Sequence, residues 1–274
     1  HYPRGLQADF THDLLLHGDS GQLWPVPTGA DPALTVNDAY QRALALRQLR
    51  IARGEQPRGY KIGFTNRTLW PIYSVFAPIW GTVYDSTLSF CDGLGHVALT
   101  HTCQPRIEPE TVFGFARTPA PGASVDELFA ALDWIAPGFE IVQSHLPDWK
   151  FTAAETVMDG ALHAKLLVGT KLAVAEVVTS APALEAYLQS ASVTLSKNAV
   201  AVASGQGANV LDNPLRALHH FLAELRACPG ATDIRPGDVV TTGTCTNAWP
   251  VAVGETWEAA FSQPLGKLSV RFRL

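Results

Sequence analysis

The segment Arg106-Ile107-Glu108-Pro109-Glu110-Thr111-Val112-Phe113 constrains this chain more than any other. It is an apolar, strand-like run that carries two acids at a spacing of two, so their side chains point to the same face. A second apolar run, Phe139-Glu140-Ile141-Val142, carries a third. Carboxylates are rarely buried unless they are paired or bind a metal. If the second run lies beside the first, Glu108, Glu110 and Glu140 converge on one point. Three oxygen ligands with room left for water suit Mg²⁺ or Mn²⁺ better than zinc, which prefers nitrogen and sulfur. On spacing alone the competing reading is a set of edge-strand glutamates facing solvent.

The remainder of the chain fits an ordinary globular protein. At 274 residues it matches one large domain, or a domain with a small N-terminal addition. It is 47% hydrophobic and 16% charged, and no run approaches the roughly 18 apolar residues of a membrane-spanning helix. A net charge of −5 leaves no electrostatic footprint for nucleic acid. Cys91, Cys103, Cys228 and Cys245 form no Cys-x-x-Cys pair, and dispersed thiols of this kind fit a reducing cytosol. The chain begins at His1 rather than Met, so the lack of a visible leader carries little weight.

Residues 36–53 read as an amphipathic helix with Thr35 as N-cap and Gly54 as the stop. Ser124-Val125-Asp126-Glu127 is a capping box ahead of a short helix, and Pro214 to Arg226 reads as another, with Gly230 beyond its end. Between them lie short apolar runs at 81–84, 96–100, 107–115, 139–143, 193–196, 238–242 and 268–273, a strand-rich texture. The first thirty residues show little periodicity. Composition therefore supports an α+β or mixed β class.

The order Tyr60-Lys61-Ile62-Gly63-Phe64-Thr65, Gly81-Thr82-Val83-Tyr84-Asp85, Ile107-Glu108-Pro109-Glu110, Phe139-Glu140-Ile141-Val142, Asp148-Trp149-Lys150 and Val239-Val240-Thr241-Thr242-Gly243-Thr244 resembles the fumarylacetoacetate hydrolase superfamily. Within it, the hydratase and decarboxylase branch acting on 2-oxo acids is the nearest. The resemblance runs from about Ala39 to the C-terminus. It implies an α+β fold: a distorted, mainly antiparallel β-barrel or roll with peripheral helices, with a small helical N-terminal region at residues 1–58 and the catalytic domain at 59–274. It also implies a homo-oligomer in the cytoplasm, with a small 2-oxo acid as substrate and neither a nucleic-acid nor a membrane partner.

The same resemblance assigns roles. Glu108, Glu110 and Glu140 become the ligands of Mg²⁺ or Mn²⁺. Lys61, which on its apolar flanks alone would be a lysine snorkelling to the surface, becomes an acid/base group. Asp85, otherwise a turn residue, is expected opposite Lys61 across the substrate. Asp159 is expected near the site in a supporting or substrate-binding role, and Thr244 is expected to bind a substrate carboxylate. Asp148-Trp149-Lys150 is expected to be architectural, with Trp149 packed inward. The implied reaction is addition of water to a 2-oxo-enoate or 2-hydroxydienoate through a metal-held enolate, as in the catabolism of aromatic compounds.

The chain departs from the family pattern after Asp159. The hydratases continue Asn-Ala-Ser-Ser, whereas here the run is Gly160-Ala161-Leu162-His163. This opens three alternatives: decarboxylation of a 2-oxo diacid, C–C hydrolysis of an acylpyruvate-like diketone with His163 as base, and a non-catalytic metabolite-binding homologue. A core histidine held by hydrogen bonds is the competing reading of His163. Phe64, Trp70, Tyr73, Phe76 and Trp80, with Pro71 and Pro78, suggest a rigid wall for an apolar pocket, against ordinary core packing.

Overall fold

The computed structural model describes residues 10–274. Two helices come first, α1 (Phe10–Ser20) and α2 (Val36–Ala52). Thr35 caps α2 by accepting from the Asp38 N–H at 3.0 Å. There follow β1 (Pro57–Gly63), the one-turn α3 (Trp70–Tyr73), β2 (Ile79–Tyr84), β3 (Leu88–Phe90), β4 (Leu94–Ala98) and β5 (Arg106–Phe115). The middle of the chain holds α4 (Val125–Ala130), β6 (Leu132–Val142), α5 (Ala153–Met158), β7 (His163–Val168), β8 (Leu172–Ala173), α6 (Val174–Val177) and α7 (Ala181–Ser190). Last come β9 (Ser192–Lys197), β10 (Val200–Gln206), α8 (Pro214–Ala227), β11 (Val239–Thr244), β12 (Trp249–Pro250), β13 (Thr256–Phe261) and β14 (Lys267–Arg273). The capping box at Ser124 and Glu127 forms as the spacing predicts. Asn213, just before Pro214, caps α8.

The strands make a mixed α/β fold of two sheets. The larger runs β2-β1-β11-β5-β6-β7-β3, with β12 and β8 added at its sides, and the smaller runs β10-β9-β13-β14-β4. Both are mixed: β1 with β11, β3 with β7 and β14 with β4 are parallel, and the other pairs are antiparallel. The expected roll is present as a curled sheet. Its β2 edge closes onto the turn before β7 so tightly that a Cβ on Gly81 would meet the Gly160 carbonyl at 2.3 Å. Glycine is required there because the backbones touch.

Alternation along the strands sorts the layers. Ile107, Phe139 and Ile141 are buried against Leu195, Trp257, Leu268 and Val270 of the smaller sheet. Tyr60, Ile62, Phe113 and Val240 pack with Leu184, Leu188, Leu218 and Phe221 of α7 and α8. The residues between these, Lys61, Glu108, Glu110, Glu140 and Thr241, are left to the concave face of the large sheet. α1, α2 and α5 close that end with Leu14, Ala39, Ala154 and Val157 against Val142 and Leu146. No helix among the described residues is long and apolar enough to cross a membrane.

Candidate metal centre

β5 and β6 pair antiparallel with Glu108 directly opposite Glu140 and Glu110 opposite Gly138. One carboxylate oxygen from each of Glu108, Glu110 and Glu140 lies within 4.8 Å of the others. Glu110 and Glu140 are buried, at 1% and 0% exposure. The same-face spacing thus delivers the predicted convergence.

Each buried acid has one oxygen engaged and one without a hydrogen bond. Glu110 Oε1 accepts from the Thr241 hydroxyl at 2.6 Å and from the Gly243 N–H at 3.0 Å. The backbone is shaped for this. Pro109 has no N–H to give, and nearby the register of β11 against β5 slips between Thr241 and Thr244. Gly243 adopts φ +97°, and a Cβ there would lie 1.9 Å from Thr65 Oγ1, so only glycine turns this amide onto Glu110. Glu140 Oε2 lies 2.7 Å from His163 Nδ1. Glu140 Oε1 lies 3.2 Å from Lys61 Nζ, a charge contact without hydrogen-bond geometry. Glu110 Oε2 and Glu140 Oε1 are therefore buried polar atoms without a hydrogen bond.

Three carboxyls packed this closely resist ionisation. Burial pushes Glu110 up to about 8, helped by the charge of Glu140. Burial likewise pushes Glu140 up to about 8, against the pull of Lys61 and with the push of Glu108. Glu108 is held well above its ordinary value by burial and by Glu110. Oxygen donors only, two of them without a hydrogen bond, in a cluster whose carboxyls are all displaced upward, fit a hard divalent cation.

Lys61 is buried and donates to the Ala161 carbonyl at 2.6 Å. It reaches the cluster because the sheet curls: β1 is three strands from β6 in hydrogen-bonding order, yet the two side chains meet. A cleft opens beside Lys61 and Glu108. Thr65, Asn66 and Thr244 give it polar atoms, and Phe64, Leu69, Tyr73, Trp149 and Leu162 line its apolar wall. Thr244 is thus brought to the cavity as expected. Of the anticipated aromatic wall only Phe64 and Tyr73 take part. Phe76 is 67% exposed, Trp80 stacks on Tyr40, and Trp70 instead braces the loop by donating to the Phe64 carbonyl at 2.7 Å. Trp149 is buried, as predicted, but it also forms part of the cavity wall.

Three expected site residues do not line this cleft. Asp85 does not face Lys61. The register partner of Lys61 is Gly81, and Asp85 is four residues farther along, about 13 Å at the rise of a strand. It is exposed and accepts from the Gln56 N–H at 2.9 Å. Asp159 does not line the cavity either. Its two oxygens hold His145, at 2.6 Å to Nδ1 and 2.8 Å to the backbone N–H. His163 touches the cluster but not the cavity. Both its nitrogens are occupied, Nδ1 by Glu140 and Nε2 by Thr87 Oγ1 at 2.9 Å. Burial and the charge of Lys61 hold its pKa well below the ordinary value. The functional contacts not anticipated are those of Thr87, Thr241, Gly243 and the Ala161 carbonyl. Thr241 and Gly243 lie within the Val239–Thr244 segment on which the resemblance partly rested.

No family model matches the chain. Individual proteins do. A 2-hydroxyhexa-2,4-dienoate hydratase of Comamonas testosteroni is 31% identical over 247 residues, 89% of each chain. A 4-oxalocrotonate decarboxylase of Pseudomonas putida is 32% identical over 242 residues, 88% of this chain and 87% of that one. The solved 4-oxalocrotonate decarboxylase of Pseudomonas putida G7, complexed with magnesium and adipate, superposes with TM-score 0.82 at 27% identity and 99% coverage of both chains. A fumarylpyruvate hydrolase of Pseudomonas aeruginosa shares the fold at TM-score 0.58 and 16% identity, over 80% of this chain and 90% of that one. The chain belongs to the fumarylacetoacetate hydrolase superfamily, in the branch that contains these hydratases and decarboxylases.

Proposed function

We propose that this protein is a divalent-metal-dependent hydratase that adds water to a 2-oxo-enoate or its 2-hydroxydienoate tautomer. The observation that supports it most is the convergence of Glu108, Glu110 and Glu140, of which Glu108 lines the same cleft as Lys61. The three carboxylates would hold Mg²⁺ or Mn²⁺, which supplies Lewis-acid stabilisation of negative charge on the 2-oxo and 1-carboxylate oxygens. Lys61 Nζ is the group positioned to give and take the proton at the substrate carbon. It is held by the Ala161 carbonyl and Glu140 and faces the cleft. Thr244, beside Gly243, offers a hydroxyl to the substrate carboxylate. Phe64, Tyr73, Trp149 and Leu162 exclude water from the substrate's hydrocarbon end and suit a tail more apolar than that of a five-carbon diene acid.

Decarboxylation of a 2-oxo diacid is the second reading, favoured by the decarboxylase relatives. C–C hydrolysis loses its proposed base, because His163 does not reach the cleft. Four free cysteines suit a reducing cytosol, and the family resemblance supports homo-oligomeric assembly. Light scattering tests the assembly. The reaction is tested by incubating a panel of 2-oxo-enoates, 2-oxo-enedioates and acylpyruvates with Mg²⁺ and weighing the products. Hydration retains every carbon, decarboxylation releases CO₂, and hydrolysis yields two acids. Undiminished turnover after exhaustive chelation would sink the metal-dependent reading.

A further inference from the structure

The contacts around the carboxylate cluster divide its oxygens into held and offered ones. Thr241 and Gly243 hold Glu110 Oε1, which leaves Oε2. His163 holds Glu140 Oε2, which leaves Oε1 without a hydrogen bond and with only the Lys61 ammonium at 3.2 Å beside it. His163 is in place because of an irregularity in the ladder between β6 and β7. Glu140 pairs with Leu166 and Ile141 with Lys165, but Val142 pairs with His163 rather than Ala164. This one-residue bulge moves His163 onto the face that carries Glu140 and Val142. In an unbroken register its side chain would point to the other face. The far side of the ring is fixed as well. Nε2 meets Thr87 Oγ1, and Thr87 is itself tied down through its carbonyl, which accepts from the Leu166 N–H at 2.8 Å. An ionised Glu140 only accepts, so Nδ1 then carries the proton, and Nε2 faces the Thr87 hydroxyl, which also lies 3.1 Å from the Tyr84 carbonyl and accepts from the Tyr84 N–H at 3.2 Å.

We propose that His163 is a positioning residue that clamps Glu140 to a single outward oxygen, and that the Thr87–His163–Glu140 chain thereby biases the site toward a small, octahedral cation such as Mg²⁺ and against Ca²⁺. Ca²⁺ accepts bidentate carboxylates and variable geometry, whereas Mg²⁺ takes one oxygen per carboxylate in a rigid shell. A carboxylate whose second oxygen is held by an imidazole cannot become bidentate without breaking that bond. The inference rests on the metal reading of the cluster, and the test separates the two.

The full-length protein, stripped of metal, is titrated calorimetrically with MgCl₂ and with CaCl₂ alone, without substrate. His163→Ala should weaken Mg²⁺ binding by about 10–100-fold, the usual size of an outer-sphere contribution, and Ca²⁺ binding by much less. His163→Asn, whose amide N–H can stand where Nδ1–H stood, should recover most of the Mg²⁺ affinity. Thr87→Val, which frees the ring to turn, should lose part of it and serves as the test if the alanine variant does not fold. An unchanged Mg²⁺ affinity in folded His163→Ala or in Thr87→Val, or equal losses for both cations, overturns the clamp. Binding of neither cation by the unaltered protein overturns the metal reading itself, and the clamp with it.

Discussion

Glu110→Gln should stabilise the metal-free protein while abolishing its affinity for metal. Glu110 is fully buried and its carboxyl is displaced from an ordinary 4.5 to about 8. Each pH unit between those two values costs about 1.4 kcal/mol, which sets a ceiling of about 5 kcal/mol once both folded and unfolded forms are ionised. The sign follows from proton counting. Between 4.5 and about 8 the folded state keeps a proton that the unfolded state has released, so metal-free stability falls as pH rises through that window. At neutral pH the cost is about 3 kcal/mol. Glutamine removes it and keeps an oxygen for the Thr241 hydroxyl and the Gly243 N–H. The amide nitrogen that replaces the unpartnered Oε2 returns part of the gain, since a buried donor left without a partner costs about 1–3 kcal/mol. Denaturant unfolding in a chelator, at about pH 5 and about pH 8, measures both proteins. The advantage of the variant should widen by about 3 kcal/mol from the lower pH to the higher. Added Mg²⁺ should stabilise the parent and leave the variant unmoved. A difference that stays flat with pH, or that favours the parent in chelator at the higher pH, would refute the reasoning that these acids are held together against their own charge.

Lys61→Ala should lower kcat by roughly 10²-fold or more under saturating Mg²⁺. A change confined to KM would make Lys61 a binding group instead. Asp85→Asn should leave kcat within about twofold of the parent, because Asp85 is exposed and bonded to the Gln56 N–H. Steady-state kinetics showing a loss of general acid–base size would restore the role that the family resemblance implied. Gly243→Ala should cost about 1–3 kcal/mol from the positive φ alone. It should also weaken Mg²⁺ binding by displacing the amide that holds Glu110, which paired unfolding and calorimetric measurements would show.

What could be read from the chain divides along the distance over which the physics acts. The cap at Thr35, the capping box at Ser124 and the strand at 107–115 are local signals, and the structure returns them almost unchanged. The convergence of Glu108, Glu110 and Glu140 was legible because it needs only the two-residue period of β5 and one neighbouring strand. Lys61 was not legible from its own surroundings, since apolar flanks describe a snorkelling lysine equally well. Its place follows from β1 lying against β11, some 180 residues away in sequence, and from the curl that brings β1 round to β6. α1 and α7 went unread, although Ser180 caps α7 by accepting from the Ala183 N–H and a proline follows at its start. Asp85 and His163 show the limit most sharply. Which side chains enter the site depends on strand register, and register is set by pairing, not composition. The sequence around Asp85 does not reveal that its strand pairs with β1 so as to set Gly81, not Asp85, beside Lys61. Nor does the sequence around His163 reveal the bulge that turns a residue of ordinary strand spacing onto the Glu140 carboxylate. In this fold, then, the irregularities in the ladder at Thr241–Thr244 and at Ile141–Val142 decide which oxygen of Glu110 and which oxygen of Glu140 face outward. The regular strands supply only the carboxylates themselves.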